Sequence, residues 1–173
     1  WLFGDTFISR SFLSTRRLST MIRNCIAIQS GYDPSAASIA FYWRTDRGKP
    51  QSFFPEDEDT WFWPGHGIAL EGKLFVFLMA TRSSSEGIGF EHVGWRAVSI
   101  SNPEQPPSEW DLTWLETPEN PFGLVVSGSV MRVSEYVLAF SVKEPEHTIH
   151  LVRWPVDQMM DDLTDAVFEA DLR

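Results

Sequence analysis

Apolar residues recur along this chain in short alternating or continuous runs, each cut by a cluster of Gly, Pro, Asp, Asn or Ser. That is the period of strands joined by turns. Leu2-Phe3 begins a strand that stops at Gly4-Asp5, and a polar excursion carrying Arg10, Arg16 and Arg17 runs to Thr20. Residues 21–29 and 38–44, rich in Ile, Phe, Tyr and Trp, read as a hairpin around Ser30-Gly-Tyr-Asp-Pro34. Residues 46–59 are charged and carry Pro and Gly, a loop between units. Residues 67–70 and 73–81 flank Glu71-Gly72, a two-residue hairpin connection. A Ser- and Gly-rich loop at 82–89, a strand at 92–100, a Pro-rich link at 102–107 and a short strand at 112–116 follow. Strands at 130–133, 136–142 and 148–154, a turn at 143–146, an amphipathic helical turn within 155–163 and a last strand from 166 complete the pattern. No segment holds a 3.6-residue apolar period over three turns, and 11 Gly and 11 Pro argue against a helical bundle.

The pattern repeats. Trp63-Pro-Gly-His-Gly67 precedes one hairpin and Ser127-Gly-Ser129 another, and residues 65–79 lie on 127–141 without a gap. Units of about 60 residues, approximately 1–59, 60–120 and 121–173, each read as a four-stranded antiparallel meander, close to the length of a kelch blade. The expected fold is therefore all-β, a single partial domain of β-propeller blades.

Charge narrows the partners. With 24 acids against 14 bases the formal charge is −10, which removes the phosphate-neutralising surface that nucleic-acid binding requires. No run approaches the roughly 18–20 apolar residues of a membrane span, and no charged and apolar leader opens the chain. Neither a nucleic acid nor a membrane is expected as partner. Cys25 is alone, so no internal disulfide forms, and its neighbours Ile22 and Ile26 suggest a buried small hydrophobe. The chain opens without Met and in mid-strand, which reads as a fragment. Its compartment stays open, secreted or periplasmic if a signal peptide stands upstream.

Four stretches carry a resemblance: Trp1-Leu-Phe-Gly-Asp-Thr-Phe7, Ile22-Arg-Asn-Cys-Ile-Ala-Ile-Gln29, Gly65-His-Gly67 and Leu151-Val-Arg-Trp-Pro155. Together they look like uncharacterised five-bladed β-propeller domains related to the arabinanase, fructosidase and levansucrase clans. The resemblance implies that about three of five blades are visible, that each first strand lines a central channel, and that an Asp and a Glu at one funnel cleave glycosidic bonds. It also implies missing residues on both sides, an incomplete catalytic pair, and self-association through uncovered blade faces.

Antiparallel strand direction within such blades gathers Asp5, Arg23, Asn24, His66, Ser127 and Ser129 at the funnel mouth. Asp5 would be the catalytic base, a hydroxyl acceptor or a pKa modulator, with Arg23 and Asn24 as hydroxyl partners. His66 would donate to substrate or ligate a channel ion such as calcium; no other cofactor is expected. Trp61, Phe62 and Trp63 would offer flat faces to a sugar ring. Plainer readings stand beside these: an Asp that satisfies turn amides, a hydrogen-bonded structural His, and a Ser-Gly-Ser that permits close backbone approach. Asp157, Asp161, Asp162 and Asp165 fit a solvated face rather than a calcium loop, and no zinc, phosphate-loop or dinucleotide motif occurs. Two functions follow: a glycoside hydrolase-like propeller acting on a poly- or oligosaccharide, or a non-catalytic propeller that binds saccharide or protein.

Overall fold

The structure, a computed structural model, describes residues 1–9, 16–33, 35–120, 122–143, 146 and 148–169. Arg10 and part of the 143–146 turn lie outside the described residues. The strands of the first unit are β1 (Leu2–Phe3), β2 (Thr6–Ile8), β3 (Thr20–Ile22), β4 (Cys25–Ser30), β5 (Ser38–Tyr42), β6 (Arg44–Asp46) and β7 (Lys49–Gln51). Then come β8 (Thr60–Leu70), β9 (Lys73–Ser83), β10 (Phe90–Ile100) and β11 (Leu112–Leu115). The last group is β12 (Leu124–Val133), β13 (Tyr136–Lys143), β14 (Thr148–Pro155), the one-turn helix α1 (Val156–Met159) and β15 (Val167–Glu169).

The fold is all-β and antiparallel. β8 to β11 and β12 to β15 form two four-stranded meanders in chain order. The first unit departs from that plan: β1, β4 and β5 make a three-stranded sheet, and β2–β3 and β6–β7 are separate two-stranded pairs. The reason is a break, not a new topology. Phe3 faces Cys25 and Thr6 faces Ile22, so one register runs through β1–β4 and β2–β3, interrupted only at Gly4-Asp5 and Arg23-Asn24. The stack of sheets does not close into a barrel, an arrangement that a partial propeller fits.

The β8–β11 sheet is buried on both faces, which is why β9 reads as an unbroken apolar run. Phe75, Phe77, Trp95 and Ala97 pack against Val137, Ala139, Val152 and Trp154 of the next sheet. Val76, Leu78, Ala80, Val98 and Ile100 pack the other way, against Ile26, Phe53 and Phe54. Each large side chain so buried contributes about 1.5–3 kcal/mol. Val156, Met159 and Leu163 close the end of the first of these cores.

The repeat is real, but the ungapped alignment slips at one point. Before the bulges, Pro64 pairs with Leu78 and Val126 with Ser141, so the alignment holds for the first strand, while the second strand already stands one residue further on. Past a bulge in each first strand, Leu70 pairs with Lys73 and Val133 with Tyr136, one residue later than the alignment puts them. The bulge in β12 holds Ser127, Gly128 and Ser129 where that in β8 holds Gly65 and His66. Because successive strand residues point to opposite faces, only the corrected register matches side chains that face the preceding sheet: Val76 with Ala139, Leu78 with Ser141.

Candidate functional site

Asp5 stands where the first hairpin breaks. The shared register sets it opposite Arg23, and Arg23 Nη1 lies 3.4 Å from Asp5 Oδ2, a cross-strand ion pair. Asp5 Oδ1 accepts a shorter bond, 2.8 Å, from the indole Nε1 of Trp63 on β8. The carboxylate is therefore held by both oxygens, between two sheets, with its side chain 36% exposed.

Aromatic rings form the bed below it. The Arg23 guanidinium sits 4.0 Å over the Trp61 ring, a cation–π contact worth about 1 kcal/mol at such a half-covered position. Trp63 meets Trp61, Phe90 and His92 edge to face, with centroids at 6.2, 4.7 and 5.8 Å. Thr81, buried on β9, shares a hydrogen bond with His92 Nδ1 at 3.1 Å. Of the three aromatics expected to face a sugar, Phe62 is buried in the core and Trp61 is 7% exposed, so Trp63 alone is partly open. The Trp61 Nε1 is buried without a hydrogen-bond acceptor among the described residues.

Asn24 belongs to the framework. It is fully buried; its Nδ2 donates to the carbonyls of Phe54 and Phe62 at 3.1 and 2.9 Å, and its Oδ1 accepts from the Phe54 amide at 2.7 Å. Both ends of the amide are turned inward onto backbone, which sets Asn24 apart from the exposed groups that a sugar could reach. It fastens the break in the first hairpin to the loop at Phe54 and to β8.

His66 and Ser127 to Ser129 do not open strands; they occupy the mid-strand bulges of β8 and β12. His66 is exposed, and its Nδ1 accepts from the Val130 backbone amide at 3.2 Å, so the ring proton sits on Nε2. The bond ties one first strand to the next. Ser129 is exposed, and the side chain of Ser127 lies outside the described residues. Gly128 presses on the Phe140 carbonyl, where a Cβ would stand 2.9 Å away. Neither His66 nor Ser129 is bonded to the Asp5 cluster among the described residues, and His66 lies about 10 Å along β8 from Trp63 at ordinary strand rise.

A second carboxylate reaches the cluster indirectly. The Arg23 amide donates to Ser52 Oγ at 3.0 Å, and Ser52 Oγ donates to Glu56 Oε1 at 3.0 Å. Neither residue was readable from sequence, because the segment carries only loop signals and Glu56 opens an acidic run, Glu56-Asp57-Glu58-Asp59, that looks like a solvated loop. No group of three or more His, Cys, Asp and Glu placed to hold a metal ion occurs among the described residues. Among them, no helix is long and apolar enough to cross a membrane.

The arrangement can present one carboxylate acceptor, guanidinium donors and a tryptophan edge to a polyhydroxylated ligand. Comparison with known proteins adds a family and no activity. No curated protein and no solved structure matches the chain. The model of a family described as a domain of unknown function (DUF5005) matches residues 1–158, and the chain belongs to that family.

Proposed function

We propose that this chain is the saccharide-binding part of a glycoside hydrolase-like β-propeller, about three blades of five, which holds an oligo- or polysaccharide at Asp5, Arg23 and Trp63 and does not itself cleave it. The observation that carries the reading is the Asp5 carboxylate, pinned between Trp63 and Arg23 at the partly open edge of an aromatic bed. Carboxylate, guanidinium and indole side by side are the groups that accept from, donate to and stack on sugar rings. Glycoside cleavage needs two carboxyl groups flanking one bond. Among the described residues no carboxylate except Asp5 is bonded to Arg23, Trp61 or Trp63, and Glu56 connects only through Ser52.

The test is calorimetric titration of the purified protein with mono- and oligosaccharides, beside turnover assays on aryl glycosides and polysaccharides. Weak binding without turnover is expected, and Asp5→Asn should weaken that binding by about 1–3 kcal/mol, the cost of an unmatched polar partner. Turnover that disappears in Asp5→Asn would refute the non-catalytic reading. Absence of any saccharide binding would refute the site.

A further inference from the structure

Away from Asp5, the seam between the first unit and the β8–β11 sheet is an open groove. Its widest part, about 620 Å³, is walled by Trp43, Phe53, Trp110 and Trp114, with Arg44 and Asp111 among the polar groups. Past Pro55 and Trp114 it continues into a cleft of about 360 Å³, and past Asp57 and Arg96 into a further one of about 240 Å³. Each cleft shares lining residues with the next, so the groove follows β11 along its length and runs on past Thr117. The two larger volumes lie in the range of small-ligand sites, and the open, linear form suits an oligomer rather than one ring.

The walls specify the chemistry. Trp43 and Trp114 are 37% and 39% exposed, which leaves indole surface uncovered along the groove. Trp110 is fixed in place: its Nε1 donates to the Gln105 carbonyl at 2.8 Å, and its ring stands edge-on to Phe53 at 5.8 Å. Trp114 leans on Phe62 at 5.1 Å. Rigid indoles are preformed platforms that lose little entropy when a ring stacks on them. Charge along the groove is mixed, Arg44 and Arg96 against Glu56, Asp57 and Asp111, in a chain of net charge −10. A polyanion meets too much acid here and a polycation meets two guanidinium groups, so the match is to an uncharged chain.

We propose that the groove along β11 is a second binding site, for a neutral oligosaccharide chain laid across Trp43, Trp110 and Trp114. Glu56, linked to Arg23 through Ser52, lines its middle, but Asp5, Arg23 and Trp63 do not line it, so the groove stands or falls separately from the Asp5 site. The rival occupant is an extended peptide pairing with the free edge of β11.

The experiment titrates the protein with neutral oligosaccharides of rising length, from disaccharides to hexasaccharides of gluco-, xylo-, arabino- and galacto-type, followed by calorimetry and tryptophan fluorescence. Affinity should rise with length, and Trp43→Ala should weaken the longest bound oligomer about ten-fold, one stacking platform's worth. Trp43 makes no aromatic ring contact among the described residues, so its loss spares the core. Arg44→Ala supplies a second variant at the same wall. Repeating the comparison in the Asp5→Asn background separates the two sites: the drop caused by Trp43→Ala should persist there. The proposal is overturned by an affinity independent of length, by no effect of Trp43→Ala and Arg44→Ala, by binding of extended peptides in place of sugars, or by no binding at ~10 mM oligomer, weaker than any specific site.

Discussion

Replacing Asn24 by Ala tests whether this residue is framework or ligand contact. The side chain is fully buried and makes three bonds, two from Nδ2 to the Phe54 and Phe62 carbonyls and one to Oδ1 from the Phe54 amide. Three bonds at about 1 kcal/mol each give about 3 kcal/mol, and a stranded buried N–H raises the total toward 4–5. Domains of this size hold roughly 5–15 kcal/mol in all, so the variant should fold but with much of its margin gone. At an m-value of roughly 2 kcal/mol per molar urea, the midpoint should move down by about 1.5–2.5 M. Equilibrium unfolding in urea, followed by circular dichroism and tryptophan fluorescence, reads this directly. Asn24→Asp adds a sign. It would set a carboxylate against two carbonyl oxygens, so it should be less stable than Asn24→Ala at neutral pH and recover as the pH falls and the acid can donate. A loss below about 1 kcal/mol for Asn24→Ala at unchanged m-value would refute the reasoning and return Asn24 to the ligand-binding set.

Gly72 has φ +82° and Glu71 φ +47° in the two-residue β8–β9 turn, so Gly72→Ala should cost about 1 kcal/mol by thermal or chemical denaturation, and Glu71→Asn should recover part of it. Gly128→Ala would drive its Cβ to 2.9 Å from the Phe140 carbonyl and should destabilise by about 1–3 kcal/mol, with the β12–β13 amides losing hydrogen-exchange protection first. Cys25 is fully buried, with its sulfur 3.4 Å from Thr6 Oγ1, and should react with a thiol reagent only as fast as the protein unfolds. The hydroxyls and then the amides of Ser35 and Thr164 hold the Asp33 and Asp162 carboxyls below their ordinary 3.8, so the folded state binds fewer protons; that contribution is present above pH 3.8 and should fade as pH falls below it, and Asp162→Asn should flatten the acid limb of a stability–pH curve.

Strands were legible wherever alternation met an unambiguous turn. Glu71-Gly72 announces its hairpin because the turn needs positive φ at both positions and glycine takes it at no cost. The sequence pattern puts the start of β8 at Gly67; the structure runs the strand from Thr60 and carries Pro64 at the edge of a bulge, where a missing N–H is tolerated. The candidate site was legible only in its local parts. Asp5 and Arg23 share a hairpin, so strand direction alone brings them together. Asn24 could not be read the same way, since its partners Phe54 and Phe62 lie far along the chain and a polar residue at a strand break looks alike whether it faces water or backbone. The groove along β11 was illegible for a related reason: Trp43, Trp110 and Trp114 come from separate segments, and nothing local to any of them marks a shared wall.

The two-sided β8–β11 sheet makes parity a constraint on this family's evolution. In β9 the odd positions Phe75 and Phe77 belong to one neighbour and the even positions Val76, Leu78 and Ala80 to the other, so two independent messages are interleaved in one strand. Losing a single residue there would hand each message to the wrong reader, while losing two would only shorten both. Length changes in the middle strands should therefore come in pairs, and odd ones should be confined to the loops or to the bulges at Gly65-His66 and Ser127-Gly-Ser129, where an extra residue has already been absorbed without disturbing either face.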